Sequence, residues 1–355
     1  MTKIWLDALT AKQALISGML SHELQRKGYK CIITCRDYDY VISILKMLGI
    51  NPVVYGKYGI SKDEKAIYSL ERELYLMNYW LSHGKPNIQI SLTSPDATHV
   101  AFKLGIPSLL LSDTPHSVYV NRLTIPLADV VIIPSFLPLE HYRQISDMPR
   151  YVRFKGLFEL IWVKRLKPNV NDLKALDLEP FKYVILRTEE KYASYYMGEY
   201  SEPTVILDVL DALSEFDVQL VVFPRYKDQR RYLESKIKNR YEIIIPKSVI
   251  NPVSLYRHAL LVVTGGSTMA IEASLLGTPS ILTFPKELHV VKFLKKFGFP
   301  IFQLPIKEAV DMVKNIMSNP KHWRRDTEML LSNLEDPLPI ILENLEFLLS
   351  EYINR

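Results

Sequence analysis

The sequence predicts an α/β protein built from two consecutive, doubly wound domains. Three observations predict it. Short apolar runs alternate with amphipathic stretches, as in parallel strands joined by crossover helices. The alternation begins afresh about halfway along, giving two series of such units. The chain has 355 residues, whereas one core of ordinary size serves roughly 100–200 residues.

The first series offers strands at 3–7, 31–35, 52–55, 88–92, 108–111 and 130–134. Helical patterns fall between them. In residues 14–27, Leu15, Met19, Leu20 and Leu24 share one face and Gly28 supplies the stop. Residues 67–82 repeat the pattern with Leu70, Leu74 and Met77, accompanied by Tyr68, Tyr75, Tyr79 and Trp80. The second series offers strands at 183–186, 218–223, 242–245, 260–263 and 279–283, with helices at 204–214, 227–238, 252–257, 268–276 and 287–297. The segment 160–180 is charged, strand-poor and bounded by Pro168 and Pro180, which marks the join. The expected organisation is a first domain at 1–160, a linker at 161–180 and a second domain at 181–335. A final helix at 339–352, within a segment 336–355, belongs to neither series and is free to pack back on the first domain.

Composition bounds the function. Apolar residues make up 48% and charged residues 23% of the chain, an ordinary globular balance. No apolar run is long enough to span a bilayer, and the N-terminus lacks the basic-then-apolar pattern of a signal peptide. Cys31 and Cys35 lie on one strand, about 13 Å apart, too far to bridge. Free thiols suit a reducing, cytoplasmic setting. A net charge of +5 suits phosphorylated substrates or an anionic membrane face. It is too small to indicate nucleic acid, and no aromatic-rich binding motif accompanies it.

The most informative segment is Leu260-Leu-Val-Val-Thr-Gly-Gly-Ser-Thr-Met-Ala-Ile-Glu-Ala-Ser-Leu-Leu-Gly-Thr-Pro-Ser-Ile281. A buried strand should end at Thr264. Gly265 and Gly266 let the backbone turn and approach a ligand. Ser267 and Thr268 are candidate caps of the next helix, whose N-terminus attracts an anion. Glu272, one turn on, can accept hydrogen bonds from the vicinal hydroxyls of a ribose. An ordinary strand–helix turn is the competing reading. In the same domain, Arg187-Thr-Glu-Glu190 and Pro224-Arg225 follow two further strands. Arg187 and Arg225 would share the rim with Gly265, where a guanidinium fork suits phosphate oxygens. A surface ion pair is their competing reading.

The first domain carries rim candidates of its own, because α/β sheets bind ligands at the carboxyl ends of their strands. Thr10, Lys12 and Gln13 follow the first strand. Arg36 follows the second, and Ser94 the fourth. Ser112-Asp-Thr-Pro-His116 follows the fifth. Asp113 and His116 are candidates for a general base and its orienting partner. Arg122, shortly after, can neutralise phosphate. An Asx-type turn before Pro115 is the alternative there. The fingerprint Gly-x-Gly-x-x-Gly is absent after the first strand, which disfavours NAD or FAD. No Gly-x-Ser-x-Gly elbow or phosphate-loop Lys occurs, and the other histidines show no metal-ligand spacing.

The segment from Leu260 to Ile281 resembles the donor loop of glycosyltransferase-B enzymes, including the lipid I N-acetylglucosaminyltransferase and the non-hydrolysing UDP-GlcNAc 2-epimerases. The resemblance implies two Rossmann-like doubly wound domains facing a cleft. It also implies that Gly265, Gly266, Ser267 and Thr268 hold a diphosphate and Glu272 a ribose. More closely, the chain resembles the mainly archaeal domain-of-unknown-function family 354. That resemblance includes Asp7-Ala-Leu-Thr-Ala-Lys-Gln-Ala14, Asp113-Thr-Pro-His116 and Arg122-Leu-Thr124. The epimerases carry His-Arg-x-Glu-Asn near Arg187, where this chain has Leu186 and Glu190. They carry Gly-Asp where this chain has Ser94-Pro95, so a carboxylate expected in elimination chemistry is missing.

The leading expectation is a glycosyltransferase that moves a sugar from a nucleoside diphosphate sugar, such as a UDP-sugar, to an acceptor, with no cofactor or metal required. A sugar-nucleotide 2-epimerase or hydrolase is the second reading, and a non-catalytic nucleotide-sugar-binding or assembly subunit the third. The aromatic stretch from Tyr68 to Trp80 and the basic-apolar Trp162-Val-Lys-Arg-Leu-Lys167 suit helix packing or domain contact. Such patches also rest on anionic headgroups, which would allow a lipid-linked acceptor and peripheral contact at the inner membrane face.

Overall fold

The computed structural model describes residues 1–189, 206–237 and 241–353. The chain divides into two compact units, Met1–Trp162 with Leu334–Arg355, and Val163–Asn333.

Unit 1 runs β1 (Lys3–Ala8), α1 (Ala11–Arg26), β2 (Lys30–Asp37), α2 (Val41–Met47), β3 (Val53–Lys57), α3 (Lys62–His83), β4 (Ile88–Leu92), α4 (Pro95–Leu104), β5 (Ser108–Leu111), α5 (Val118–Thr124), β6 (Val130–Pro134), α6 (Leu139–Arg143) and β7 (Arg150–Phe154). A helical turn, α7 (Leu160–Val163), follows at the unit boundary. The strands form one parallel sheet in the order β3-β2-β1-β4-β5-β6-β7. The order reverses between β1 and β4, so the loops leaving these two strands diverge and open a crevice at their carboxyl ends. β4, β5 and β6 are buried nearly throughout because helices cover both faces. Beneath α3 and α4, Trp5 packs on Trp80 with ring centroids 5.1 Å apart, among Leu76, Ala97 and Val100. The C-terminal α16 (Pro337–Ile353) belongs to this unit; Tyr352 donates to Asp129 at 2.5 Å.

Unit 2 repeats the plan with β8 (Tyr183–Arg187), α8 (Leu207–Leu213), β9 (Gln219–Phe223), α9 (Lys227–Tyr232), β10 (Ile243–Ile244), α10 (Pro252–Arg257), β11 (Leu261–Thr264), α11 (Ser267–Leu275), β12 (Ser280–Leu282), α12 (His289–Phe297), β13 (Ile301–Gln303), α13 (Ile306–Ser318), α14 (Pro320–Trp323) and α15 (Glu328–Ser332). Its parallel sheet has the order β10-β9-β8-β11-β12-β13, and here the reversal lies between β8 and β11. Val184, Leu186, Val222, Leu261 and Val263 form its core with α8 and α13.

The α/β, doubly wound fold read from the sequence is the fold observed. Two strands escaped the reading, β7 and β13, and both are edges of their sheets. The helix expected at 204–214 is described from residue 206 onward, and the one expected at 227–238 continues as a π-helical turn over Leu233–Ile237. Glu190, Thr204 and Lys238 lie outside the described residues. Trp162 is buried, so the Trp162–Lys167 stretch presents no aromatic ring to a lipid surface. Cys31 and Cys35 are free thiols, raised by burial to about 11 and about 12 respectively. Among the described residues no helix is long and apolar enough to cross a membrane.

Candidate functional site

The unit 2 site sits at its switch point. β11 ends at Thr264, paired in register with Arg187 at the end of β8. Gly265 donates its N–H to the Arg187 carbonyl at 3.2 Å. A Cβ on Gly265 would stand 2.6 Å from the Cα of Glu189, so this position must be glycine for the two loops to touch. Gly266 has no such constraint. A Cβ there would meet only the Arg225 guanidinium and the Thr264 hydroxyl, each at 4.0 Å. That distance places Arg225 beside the loop, as the sequence suggested. Thr188 and Gln229 fix the Arg225 backbone: its N–H donates to the Thr188 hydroxyl at 3.0 Å, and the same hydroxyl donates to Gln229 Oε1 at 2.8 Å.

The capping expectation needs correction. Gly266, not Ser267 or Thr268, is the N-cap of α11, and no side chain caps the helix. Ser267 is already helical, and from there its hydroxyl has passed the position that reaches the second and third amides. Thr264 takes over locally, its hydroxyl accepting from the Gly266 N–H at 3.0 Å. The first turn of α11 thus presents backbone N–H groups and the positive end of the helix without a capping oxygen. Glu272 is buried on α11. Gly277 closes the segment with a φ of +82°, and its position leaves no room for a side chain against the Arg325 carbonyl.

In unit 1 the residues after β1, β5 and β7 converge. The Lys12 ammonium donates to Asp113 and, at 2.5 Å, to Glu159 Oε1. All three side chains are largely buried. Burial alone would lower the Lys12 pKa, but the two carboxylates outweigh it and raise the value. Glu159 moves up from the usual carboxylate range, because burial and the neighbouring Asp113 together outweigh Lys12. One cation shared by two buried carboxylates is an arrangement that can hold or release a proton.

The other rim candidates are placed differently. Thr10 is the N-cap of α1. Gln13 is buried as a brace: its Oε1 accepts from the Leu9 N–H at 2.6 Å and its Nε2 donates to the Leu92 carbonyl at 3.0 Å. Ser94 is buried, caps α4 and donates to Asp7 at 2.6 Å. Arg36 donates to the Leu9 carbonyl at 3.1 Å and lies over Tyr38 and Tyr58, about 5 Å from each ring. Arg122 and His116 are exposed, and the partner Asp113 takes is Lys12. Below the rim, Arg72 is buried against Asp7 and Asp96 at 2.6 and 3.1 Å. This network ties α3 to the sheet and neutralises the one carboxylate on β1.

Sequence reasoning missed Glu159, because β7 was not recognised and its following loop was never read as rim. The available signal was Arg150-Tyr-Val-Arg-Phe154, in which two arginines flank a β-forming Tyr-Val pair, charges of the kind that protect an edge strand. Among the described residues no group of three or more His, Cys, Asp or Glu is placed to hold a metal ion.

Comparison with solved structures agrees with this architecture. The UDP-GlcNAc 2-epimerase of Methanocaldococcus jannaschii, in complex with UDP-GlcNAc and UDP, superposes with a TM-score of 0.72 at 15% identity, covering 98% of this chain and 100% of that one. The UDP-GlcNAc 2-epimerase of Neisseria meningitidis, bound to UDP-GlcNAc, gives 0.71 at 15% identity, covering 97% and 99%. The spinosyn forosaminyltransferase SpnP gives 0.59 at 14% identity, covering 99% of each chain. The fold is therefore the two-domain Rossmann-like arrangement of glycosyltransferase-B proteins. An uncharacterised protein of Methanocaldococcus jannaschii, MJ0665, is 27% identical over 346 residues, 96% of each chain. A family model described as "Protein of unknown function (DUF354)" matches residues 2–349, and the chain belongs to that family.

Proposed function

We propose that this protein is an enzyme that binds a nucleoside diphosphate sugar on unit 2 and transfers its sugar to an acceptor. One observation carries the reading: the uncapped start of α11 at Gly266, with Arg225 beside it and Arg187 at the neighbouring strand end. Backbone N–H groups, a helix dipole and two guanidinium groups are what a diphosphate requires, and they also stabilise the charge that develops on it as it leaves. Glu272 is assigned to the ribose hydroxyls. In unit 1, Asp113 is assigned as general base, with Lys12 bridging it to Glu159 as its positioning partner. His116, exposed on the same loop, is a second candidate for proton transfer.

Thermal shift with UDP-, GDP- and dTDP-sugars tests the binding claim. A rise in melting temperature with one nucleotide class, lost in Arg225→Ala, is the expected outcome. No shift with any of them removes the reading.

Two carboxylates on one ammonium, Asp113 and Glu159 on Lys12, also favour a second reading, a sugar-nucleotide epimerase or hydrolase, since two carboxylates can exchange a proton at carbon. Against it stands Pro95: the resemblance sets Ser94-Pro95 where those enzymes carry Gly-Asp, so no carboxylate stands there. Incubating the protein with UDP-GlcNAc alone and following the sugar by NMR separates the two. A new sugar, or free UDP without an acceptor, would favour the second reading.

A further inference from the structure

The outer face of α3 carries a stripe that the site does not use. Ile67, Leu70, Leu74 and Leu81 are 54, 66, 62 and 60% exposed. Their spacing of three, four and seven residues sets them in one row along a helix of 22 residues, about 33 Å long. The opposite side of the helix buries Arg72, Leu76 and Trp80, so exposing the stripe is not forced by a misplaced register. Two neighbouring helices are tied to α3 beside the stripe. Glu73 of α3 pairs with His99 of α4 at 2.7 Å, and His99 Nε2 meets the Leu123 carbonyl of α5 at 3.0 Å. Phe102 on α4 and Tyr119 on α5 add side chains that are 61 and 74% exposed. Each of these six side chains is more than half exposed, and side chains of this size leave several hundred Å² of apolar-rich surface open, the scale at which a patch marks an interface.

We propose that the α3–α4–α5 face is a homodimer interface, with α3 packed antiparallel on α3 of a second copy about a twofold axis at Leu74. The sequence of the stripe argues for a second copy. An isologous contact must be self-complementary, and Ile67 and Leu81 stand seven residues either side of Leu74. Antiparallel pairing therefore sets Ile67 of each copy against Leu81 of the other and Leu74 against its own equivalent. It also sets the acidic first turn, with Asp63, near the last turn of the other copy, where His83 and then Lys85 follow. Of the two like charges in that first turn, Lys62 and Lys65, the second is drawn aside over the Tyr58 ring. The charges beside the stripe are mixed, Lys62 and Lys65 against Asp63, Glu64 and Glu71. A lipid-facing helix would instead be rich in Lys and Arg.

The test uses the full chain. Sedimentation equilibrium should give about twice the chain mass of 41.1 kDa. The double variant Leu70→Glu/Leu74→Glu should weaken association at least 100-fold with an unchanged circular dichroism spectrum. Should that variant fail to fold, Leu74→Cys decides alone. On the axis its thiol meets its own equivalent, so mild oxidation should give a covalent dimer. Met148→Cys, at a position that is 86% exposed and off this face, should stay monomeric on denaturing gels and controls for the native thiols. A wild-type chain that is monomeric at ~100 µM, weaker than interfaces of this size, overturns the proposal. So does a dimer that survives both charge substitutions and fails to cross-link at position 74. A monomer that sediments with phosphatidylserine vesicles overturns it in favour of a membrane.

Discussion

The Lys12 ammonium reaches Glu159 Oε1 at 2.5 Å across 147 residues of sequence, joining the first helix of unit 1 to the loop after its last strand. With Asp113 on the same ammonium, two buried carboxylates depend on one cation. Removing one member of such a cluster leaves an uncompensated buried charge, at a cost of about 3–5 kcal/mol. Lys12→Met should therefore lower the free energy of unfolding by that amount. Lys12→Met/Glu159→Gln should recover part of the loss. Urea unfolding of the variants measures both, and a stable Lys12→Met chain would deny the cluster its burial.

The same cluster predicts a pH dependence. Glu159 has a raised pKa in the folded chain, chiefly from burial. A group that binds its proton more tightly when folded contributes stability that is full below its unfolded pKa, about 4.3, and is lost as pH rises through the folded value. Glu159→Gln has no such proton to lose. Its stability relative to wild type should rise as the pH is taken from 4 towards 8. A difference in melting temperature that stays flat across this range would contradict the raised value.

The two glycines of the donor loop should separate stability from binding. Gly265→Ala drives a Cβ into the Glu189 backbone and should cost about 1–3 kcal/mol, as overpacking does. Gly266→Ala meets only ordinary van der Waals contacts, in an extended conformation with φ −123°, so its effect on stability should stay within about 0.5 kcal/mol. If the start of α11 holds a diphosphate, Gly266→Ala should nevertheless weaken nucleotide binding, because its methyl group enters the space between the amides and Arg225. Calorimetric titration with UDP beside a melting curve reads both effects.

These glycines also show what a sequence makes legible. The donor loop could be read because its chemistry is contiguous: strand, Gly265, Gly266 and helix follow one another within a dozen residues. Arg187 and Arg225 could be added because each ends a strongly apolar run. The unit 1 site was only half legible. Lys12 and Asp113 follow buried strands, but nothing local states that they touch, since that depends on β1 and β5 both flanking β4. Glu159 was hidden because β7 is an edge strand whose outward side is wet, so its apolar signal is diluted by Arg150 and Arg153. Thr10, Gln13 and Ser94 were correctly placed at strand ends, yet their polar groups cap and brace the loops. A polar residue at a rim can serve the backbone as well as a ligand, and composition does not distinguish the two uses.

His99 offers a prediction at neutral pH. Both of its ring nitrogens face acceptors, the Glu73 carboxylate and the Leu123 carbonyl, so the doubly protonated ring satisfies both. Its pKa is raised, first by the bond to Glu73, with burial opposing. The stability His99 contributes is then full below about 6.5 and is lost as pH rises through the folded value. His99→Gln should lower the melting temperature more at pH 6 than at pH 8.5. An equal loss at both would show that the ring is held neutral.

Gln89 on β4 is fully buried, and neither its amide nitrogen nor its amide oxygen has a hydrogen-bond partner. Its neighbours across the sheet are Trp5 on β1 and Ser108 on β5, which places it in the apolar middle of unit 1, away from the strand ends that carry the site. An unsatisfied buried polar group costs about 1–3 kcal/mol. Methionine matches glutamine in length and flexibility and carries no group that demands a partner. Gln89→Met should therefore stabilise unit 1 by a comparable amount, which in a domain of this size raises the melting temperature by roughly 2–4 °C per kcal/mol. Nucleotide binding, read by the same calorimetry, should be unchanged. A fall in melting temperature would mean that the amide meets a buried water and is satisfied in solution.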